Sequence, residues 1–153
     1  MVLFLDFDGV LHPEILGQLD DFSCGLHLWN ILRACPNVDV VFSTSWKGTY
    51  PVDELIAFAT QGGGEDLAHR FIGTTPSVVR EKGANYTGQY YRRETECRLW
   101  LAGNNRLESW VALDDFAPYF SPACPSLCLI DQKTGLTEAD AAMLIERLTE
   151  GIL

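Results

Sequence analysis

Asp6 and Asp8 are the residues whose type and spacing most directly indicate chemistry in this chain. They follow the apolar run 2–5, which predicts a buried strand, and Gly9 after them permits a sharp turn. Side chains two positions apart on an extended backbone share one face. Carboxylates are costly to bury without a compensating charge, and their oxygens suit a divalent cation. The pair therefore predicts a metal-assisted site at the end of a strand.

Two further polar clusters follow predicted strands. Hydroxyl side chains occupy positions 43–45 after the apolar run 38–42, and Asp114-Asp115 follow the run 110–113. Because the carboxyl ends of parallel strands meet at one edge of an open sheet, we expect both clusters to converge with the first pair of acids. Carboxylates, together with waters and a substrate phosphate, are the surroundings that Mg²⁺ prefers.

The elements that must position these side chains alternate along the chain. Apolar runs predict strands at 2–5, 38–42, 71–72, 110–113 and 127–130, and helical patterns predict helices at 26–35, 53–60, 93–102 and 137–148. Such alternation is typical of an α/β fold with a doubly wound parallel sheet in three α/β/α layers. The length of 153 residues fits a single domain, 1–153. Residues 77–92 show little periodicity and are expected to form a loop over the top edge of the sheet.

Composition narrows the classes of function. The net charge of −10 provides no basic footprint for sequence-independent nucleic-acid binding, but a small charged substrate could still be held by local cations. Five cysteines without a Cys-x-x-Cys pair indicate neither a disulfide framework nor a structural zinc site. The chain shows no signal-peptide pattern and no apolar run of membrane-spanning length, so we expect a cytoplasmic protein. Its oligomeric state stays open.

The clusters together resemble a known superfamily. The run DFDGVL at 6–11, then Thr44, a basic helix start at Arg93, and Asp114-Asp115 occur in the order typical of haloacid dehalogenase (HAD) superfamily phosphohydrolases. The resemblance spans about residues 2–115 and implies the Rossmann-like core of that superfamily. Asp8 favours a phosphatase over a dehalogenase, because only the phosphatase chemistry of this fold needs the second aspartate.

Three smaller details are similar to the capless branch found in RNA-repair proteins: the run STSWK at 43–47, Arg93-x-x-Glu96, and the run GLT at 135–137. The short intervals between the motifs leave no room for a large cap domain, so the site is expected to be open. Water exclusion would then fall to loops, with 12–14 and 86–91 as candidates.

The resemblance implies roles for the acids. Asp6 would be the nucleophile that forms an aspartyl-phosphate, and Asp8 would act first as general acid and then as general base. Mg²⁺ would be held by an Asp6 oxygen, the backbone carbonyl of Asp8, and Asp114 or Asp115, or both.

The resemblance also implies roles for a hydroxyl and a cation. Thr44 would bind a phosphoryl oxygen, with Ser43 as the alternative. Arg93 would stabilise the charge of the phosphoryl group, with the adjacent Arg92 as the alternative. His12 closely follows the first motif and could contact substrate, but we expect a loop histidine without a catalytic role.

Three functions follow as hypotheses. The first is an Mg²⁺-dependent phosphatase that hydrolyses a phosphomonoester, with a small phosphorylated molecule as its substrate. The second is a phosphatase of nucleotides or polynucleotide ends, in which a phosphorylated polymer end is the partner. The third is a non-catalytic domain that retains the fold and binds metal. Trp46 and Lys47 could line the substrate entrance or simply pack.

Overall fold

The computed structural model describes residues 1–17, 20–78 and 91–150, so most of the predicted loop 77–92 lies outside the described residues. The strands are Val2–Leu5 (β1), Asp39–Phe42 (β2), Phe71–Thr74 (β3), Trp110–Asp114 (β4) and Leu127–Leu129 (β5). The helices are Gly25–Ala34 (α1), Val52–Thr60 (α2), Arg92–Gly103 (α3) and Glu138–Glu150 (α4).

All five strands are parallel, in the order β3-β2-β1-β4-β5. The central strand β1 pairs Leu5 with Phe42 on one side and with Leu113 on the other. The ends of β1, β2 and β4 therefore lie next to one another. From β1 to β3 the chain adds strands on one side of β1, and it then crosses to the other side to form β4. The direction of strand order therefore reverses between β1 and β4. Such a topological switch point is where open α/β sheets bind ligands.

Alternating residues of β1 divide the core between the two faces of the sheet. Leu3 and Leu5 pack in one apolar cluster with residues of α1, α2 and α4, whereas Val2 and Phe4 pack in a second cluster with residues of α3. Successive side chains of a strand point to opposite faces, so a run that is apolar throughout needs cover on both sides. The predicted three-layer α/β/α fold is confirmed, and in residues 1–17, 20–78 and 91–150 no large cap domain is inserted between its elements.

The third strand is longer than its sequence indicates. The apolar pattern predicted an end at Ile72, but β3 continues because Gly73 pairs with Val41 and Thr74 pairs with Phe42. Local patterning does not report such pairing, since the partner strand supplies the hydrogen bonds.

The helix α4 begins with a capping box in which the Asp140 amide donates to Thr137 Oγ1 and the Thr137 amide donates to Asp140 Oδ2, at 3.2 and 2.9 Å. All five cysteines are buried free thiols. Within the described ranges, no helix is long and apolar enough to cross a membrane.

Candidate functional site

An acid cluster forms where β1 and β4 end side by side. The Asp6 amide donates to Leu113 O at 3.1 Å, which extends the strand pairing by one residue and brings Asp6 beside Asp114. Carboxylate oxygens of Asp6, Asp114 and Asp115 all lie within 4.8 Å of one another. The structure thus brings together three of the four predicted acids at the switch point between the strands.

The environment of these carboxyls disfavours their charged form. Burial raises the pKa of Asp6 to about 6, against the attraction of the Arg93 guanidinium. Burial, reinforced by the charge of Asp6, raises the pKa of Asp114 to about 8. Burial also raises the pKa of Asp115. The three carboxylates place their oxygens close together, and the nearby positive charge does not balance their negative charge. Such oxygen donors fit a hard divalent cation, so this donor set suits Mg²⁺.

The turn after β1 gives Asp115 its place in the acid cluster. Gly9 has φ +68°, and a Cβ atom at this position would lie 2.3 Å from Asp115 Oδ2. Only glycine meets both demands without strain, because it adopts positive φ readily and leaves the space open.

Arg93 places a cation beside the acid cluster. Its side chain is only 6% exposed, with Nη2 4.0 Å from Asp6 Oδ1 and Nη1 3.9 Å from Glu96 Oε2. Its Nε is buried and finds no hydrogen-bond partner among the described residues. The side chain of the adjacent Arg92 is 43% exposed and pairs with Glu96 at 3.4 Å. The two arginines therefore differ in burial and in their contact with Asp6.

Glu96 is a buried acid that contacts three basic side chains. Its side chain is fully buried, and it pairs with Lys47 at 3.2 Å in addition to the two arginines. Lys47 Nζ also donates to Thr75 Oγ1 at 2.7 Å, and burial lowers the pKa of the lysine. In the sequence, Glu96 is part of the Arg93-x-x-Glu96 motif, but no role is predicted for it. The local pattern does not reveal that three basic residues meet at its side chain.

The hydroxyl cluster after β2 divides between the faces of the sheet. Thr44 is fully buried, and its hydrogen bond to the Asp6 carboxyl opposes in small part the rise that burial causes in the pKa of that group. Ser43 Oγ lies 3.9 Å from Cys97 Sγ, on the α3 side of the sheet. Ser45 is exposed and lines the cavity above the acids. The geometry thus separates Thr44 from its alternative, and it adds Ser45 as a hydroxyl that faces the open space.

Asp8 is held by a separate group of side chains. Trp46 Nε1 donates to both Asp8 oxygens, each at 3.1 Å, and His12 Nε2 lies 3.0 Å from Asp8 Oδ1. The hydrogen bond from His12 has the largest effect on the pKa of Asp8. Together with the hydrogen bond from Trp46, it lowers this pKa. His12, expected to be a loop histidine without a catalytic role, is 1% exposed and contacts Asp8. Its closeness to the first motif, four residues after Asp8, is the signal that the sequence carries for this contact.

A cavity of about 380 Å³ opens above the acid cluster. Its walls bring together residues that follow β1, β2 and β4, residues of α3, and two aromatic side chains. The lining residues are Asp6, Asp8, Glu14, Ser45, Arg92, Arg93, Asp115, Phe116, Tyr119 and Gln132. Of the two loops expected to exclude water, 12–14 contributes Glu14, whereas 86–90 lies outside the described residues.

Clustered carboxylates beside a buried guanidinium are an arrangement that suits a divalent cation and a phosphoryl group side by side. Comparison with curated proteins and with solved structures gives no match. Residues 2–141 match the family described as the HAD domain in Swiss Army Knife RNA repair proteins. Because this match covers most of the chain, the protein belongs to that family of HAD domains and, in general terms, to the HAD-family phosphohydrolases.

Proposed function

We propose that the protein is an Mg²⁺-dependent phosphatase that hydrolyses a phosphomonoester through an aspartyl-phosphate on Asp6. The observation that carries this proposal is the buried Arg93 guanidinium, 4.0 Å from the carboxylate of Asp6 within the acid cluster. The carboxylates of Asp6, Asp114 and Asp115 and the backbone carbonyl of Asp8 would hold Mg²⁺. The bound cation supplies positive charge that neutralises the phosphoryl oxygens and the carboxylates around them.

In the first half-reaction, an Asp6 oxygen attacks phosphorus. A bond forms between this oxygen and phosphorus while the bond from phosphorus to the substrate's ester oxygen breaks, and Asp8 gives its proton to that departing oxygen. In the second half-reaction, Asp8 takes a proton from water as the water oxygen attacks the same phosphorus. Inorganic phosphate leaves, and the Asp6 carboxylate and the protonated Asp8 are regenerated.

The surrounding groups suit these steps. Among the described residues, the ion-pair contacts of Arg93 with Asp6 and Glu96 are long, about 4 Å, so its N–H groups are available to phosphoryl oxygens. Thr44 orients the Asp6 carboxyl, and Ser45 can donate to the phosphoryl group from the cavity wall. Asp8 must be protonated to act first as an acid although its hydrogen bonds lower its pKa. An arriving phosphate dianion opposes that effect, because a nearby negative charge raises the pKa of a carboxyl.

The decisive experiment measures phosphate release from a panel of phosphomonoesters with Mg²⁺ or with EDTA. We expect activity that requires Mg²⁺ and disappears in Asp6→Asn, while Asp66→Asn, which removes a carboxylate with a 64% exposed side chain, stays active. In Asp8→Asn supplied with p-nitrophenyl phosphate, whose leaving group needs no proton donor, hydroxylamine-sensitive phosphoprotein should accumulate, because hydrolysis of the aspartyl-phosphate needs the base. Binding of Mg²⁺ without turnover of any ester would favour a non-catalytic metal-binding domain instead.

A phosphatase of nucleotide or polynucleotide ends is the second candidate. Phe116, 46% exposed, and Tyr119 form an edge-to-face pair with ring centroids 4.6 Å apart, and both rings line the open cavity beside Arg92. Exposed aromatic and basic groups can stack with bases and contact backbone phosphates. The net charge of −10 opposes extended contact with a polymer, so recognition would be confined to the end. Faster release from 3′- or 5′-phosphorylated oligonucleotides than from sugar phosphates would favour this candidate.

A further inference from the structure

The carboxylate of Asp8 is fixed on both oxygens although it lies at the cavity. Trp46 Nε1 is 3.1 Å from each oxygen, and His12 Nε2 is 3.0 Å from Oδ1. A side chain that is 36% exposed would otherwise sample several rotamers. These contacts hold it in one orientation.

The donor Trp46 is itself held firmly. Trp46 lies in the 3₁₀ turn Ser45–Gly48 directly after β2, and its amide donates to Thr44 Oγ1 at 3.3 Å. Its indole packs against Phe7, Phe58 and Tyr50 at centroid distances of 5.6, 5.4 and 5.4 Å. The orientation of Asp8 is therefore linked through Trp46 to Thr44, the residue that contacts Asp6.

Phe22 completes the aromatic packing in a conformation that costs energy. It has φ +54°, a region of backbone conformation that bulky side chains rarely occupy because it is strained. Its ring lies 4.8 Å from the ring of His12, 5.4 Å from Trp46 and 5.1 Å from Phe7. Packing on both donors of Asp8 offsets this strain.

We propose that Trp46 and His12 are positioning residues that aim the Asp8 carboxyl at the ester oxygen of the substrate. The inference rests on the proposed phosphatase and adds its substrate class, unactivated aliphatic phosphate esters. An alkoxide is a poor leaving group and needs a well-placed proton donor, whereas an activated aryl oxide departs without one. In the first half-reaction, an oriented proton donor therefore benefits the first kind of ester and not the second.

The test compares kcat/KM for glycerol 3-phosphate with kcat/KM for p-nitrophenyl phosphate. This parameter reports the transfer of the phosphoryl group to Asp6 and not the later hydrolysis, which is common to both esters. In Trp46→Phe, which keeps an aromatic ring and removes the N–H, we expect a ~10- to 100-fold loss on glycerol 3-phosphate. On p-nitrophenyl phosphate we expect less than about a threefold loss, since general acid catalysis is not needed there. Asp8→Asn should show the same selectivity in stronger form.

Variants of His12 keep the test independent of Trp46. His12→Gln retains an N–H donor and should preserve most of the activity on glycerol 3-phosphate, whereas His12→Phe should lose it. Trp29→Phe is the matched control, because Trp29 Nε1 donates to Ala59 O at 2.9 Å within the core and not to Asp8. It should affect both esters equally.

Equal losses on the two esters in Trp46→Phe and His12→Phe, or no loss on either, would overturn the inference while leaving the phosphatase intact. Absence of Mg²⁺-dependent turnover in the unsubstituted protein, or full activity of Asp6→Asn, would overturn the phosphatase, and this inference with it. The Asp6→Asn measurement therefore separates the two failures.

Discussion

Arg92 and Arg93 are neighbours in sequence with different surroundings in the fold. Both lie in the first turn of α3, where the helix dipole gives them no benefit, so their presence there needs another reason. The side chain of Arg93 is buried between Asp6 and Glu96, whereas that of Arg92 reaches the solvent-exposed rim of the cavity. We infer that Arg93 stabilises the transferring phosphoryl group and that Arg92 aids substrate capture.

Substitution of the two arginines should separate these roles. Arg93→Ala is expected to lower kcat by ~10²–10³, because a preorganised charge in a water-poor site is lost. Arg92→Ala should raise KM by less than about tenfold with little effect on kcat, as is typical of an exposed charge. Steady-state kinetics with Mg²⁺ provides the measurement, and Arg93→Lys should recover part of the rate. Equal effects of both alanine variants on kcat would contradict the assignment.

At the scale of elements, the turn after β1 determines whether the strand ends can share a cation. Gly9 turns the chain at positive φ and leaves its Cβ position to the Asp115 carboxylate. The strands bring the acids at their ends to one edge of the sheet. The turn leaves the space in which the acids at the ends of β1 and β4 meet.

Gly9→Ala should therefore weaken Mg²⁺ binding. The new methyl group would displace Asp115, and we expect the affinity for Mg²⁺ measured by calorimetry to fall ~10-fold or more, as for other losses of groups that orient a metal site. Gly17→Ala is the matched control, because Gly17 also has positive φ, +83°, but no atom of the part of the chain that the structure describes lies within 4 Å of its Cβ position. Both variants should lose about 1 kcal/mol of stability from backbone strain. An unchanged Mg²⁺ affinity in Gly9→Ala would show that Asp115 is not required.

At the scale of the whole molecule, an acidic chain concentrates negative charge where burial makes it costly. The net charge is −10, and the acid cluster adds carboxyls whose pKa values are raised to about 6 for Asp6 and about 8 for Asp114. Relative to their ordinary value of 3.8, these groups bind more protons in the folded than in the unfolded state. Their contribution to stability is therefore present at low pH and is lost as the pH rises through 3.8 and the folded pKa values.

The metal-free protein should accordingly lose stability between about pH 4 and about pH 8, and Mg²⁺ should restore it. Thermal unfolding in EDTA and in Mg²⁺ measures both effects, and the rise in Tm caused by Mg²⁺ should be larger at high pH, where the ligands are deprotonated. Asp114→Asn should flatten the pH dependence and reduce the Mg²⁺ effect, whereas the exposed variant Asp66→Asn should change neither. A metal-free Tm that rises over this pH range would contradict the prediction.

The sequence by itself determined the fold class and the residues at the strand ends. The periods of strand and helix are local properties, and burial of an apolar run on both faces requires a layered parallel sheet. The same alternation contains the distinction between Ser43 and Thr44, because Ser43 continues the face of Val41 and Thr44 that of Phe42. The motif order then led to the correct superfamily.

Only the tertiary structure decided how these residues are supported. Trp46 meets Asp8 across 38 positions of the chain, and Lys47 meets Glu96 across 49. The orientation of α3 on the sheet decides that Arg93 rather than Arg92 faces Asp6, and the pairing with β2 extends β3 past Gly73. Such contacts depend on the packing of distant segments, and no local pattern encodes that packing. The sequence named the candidate groups, and the packing decided their burial, their partners and their charge.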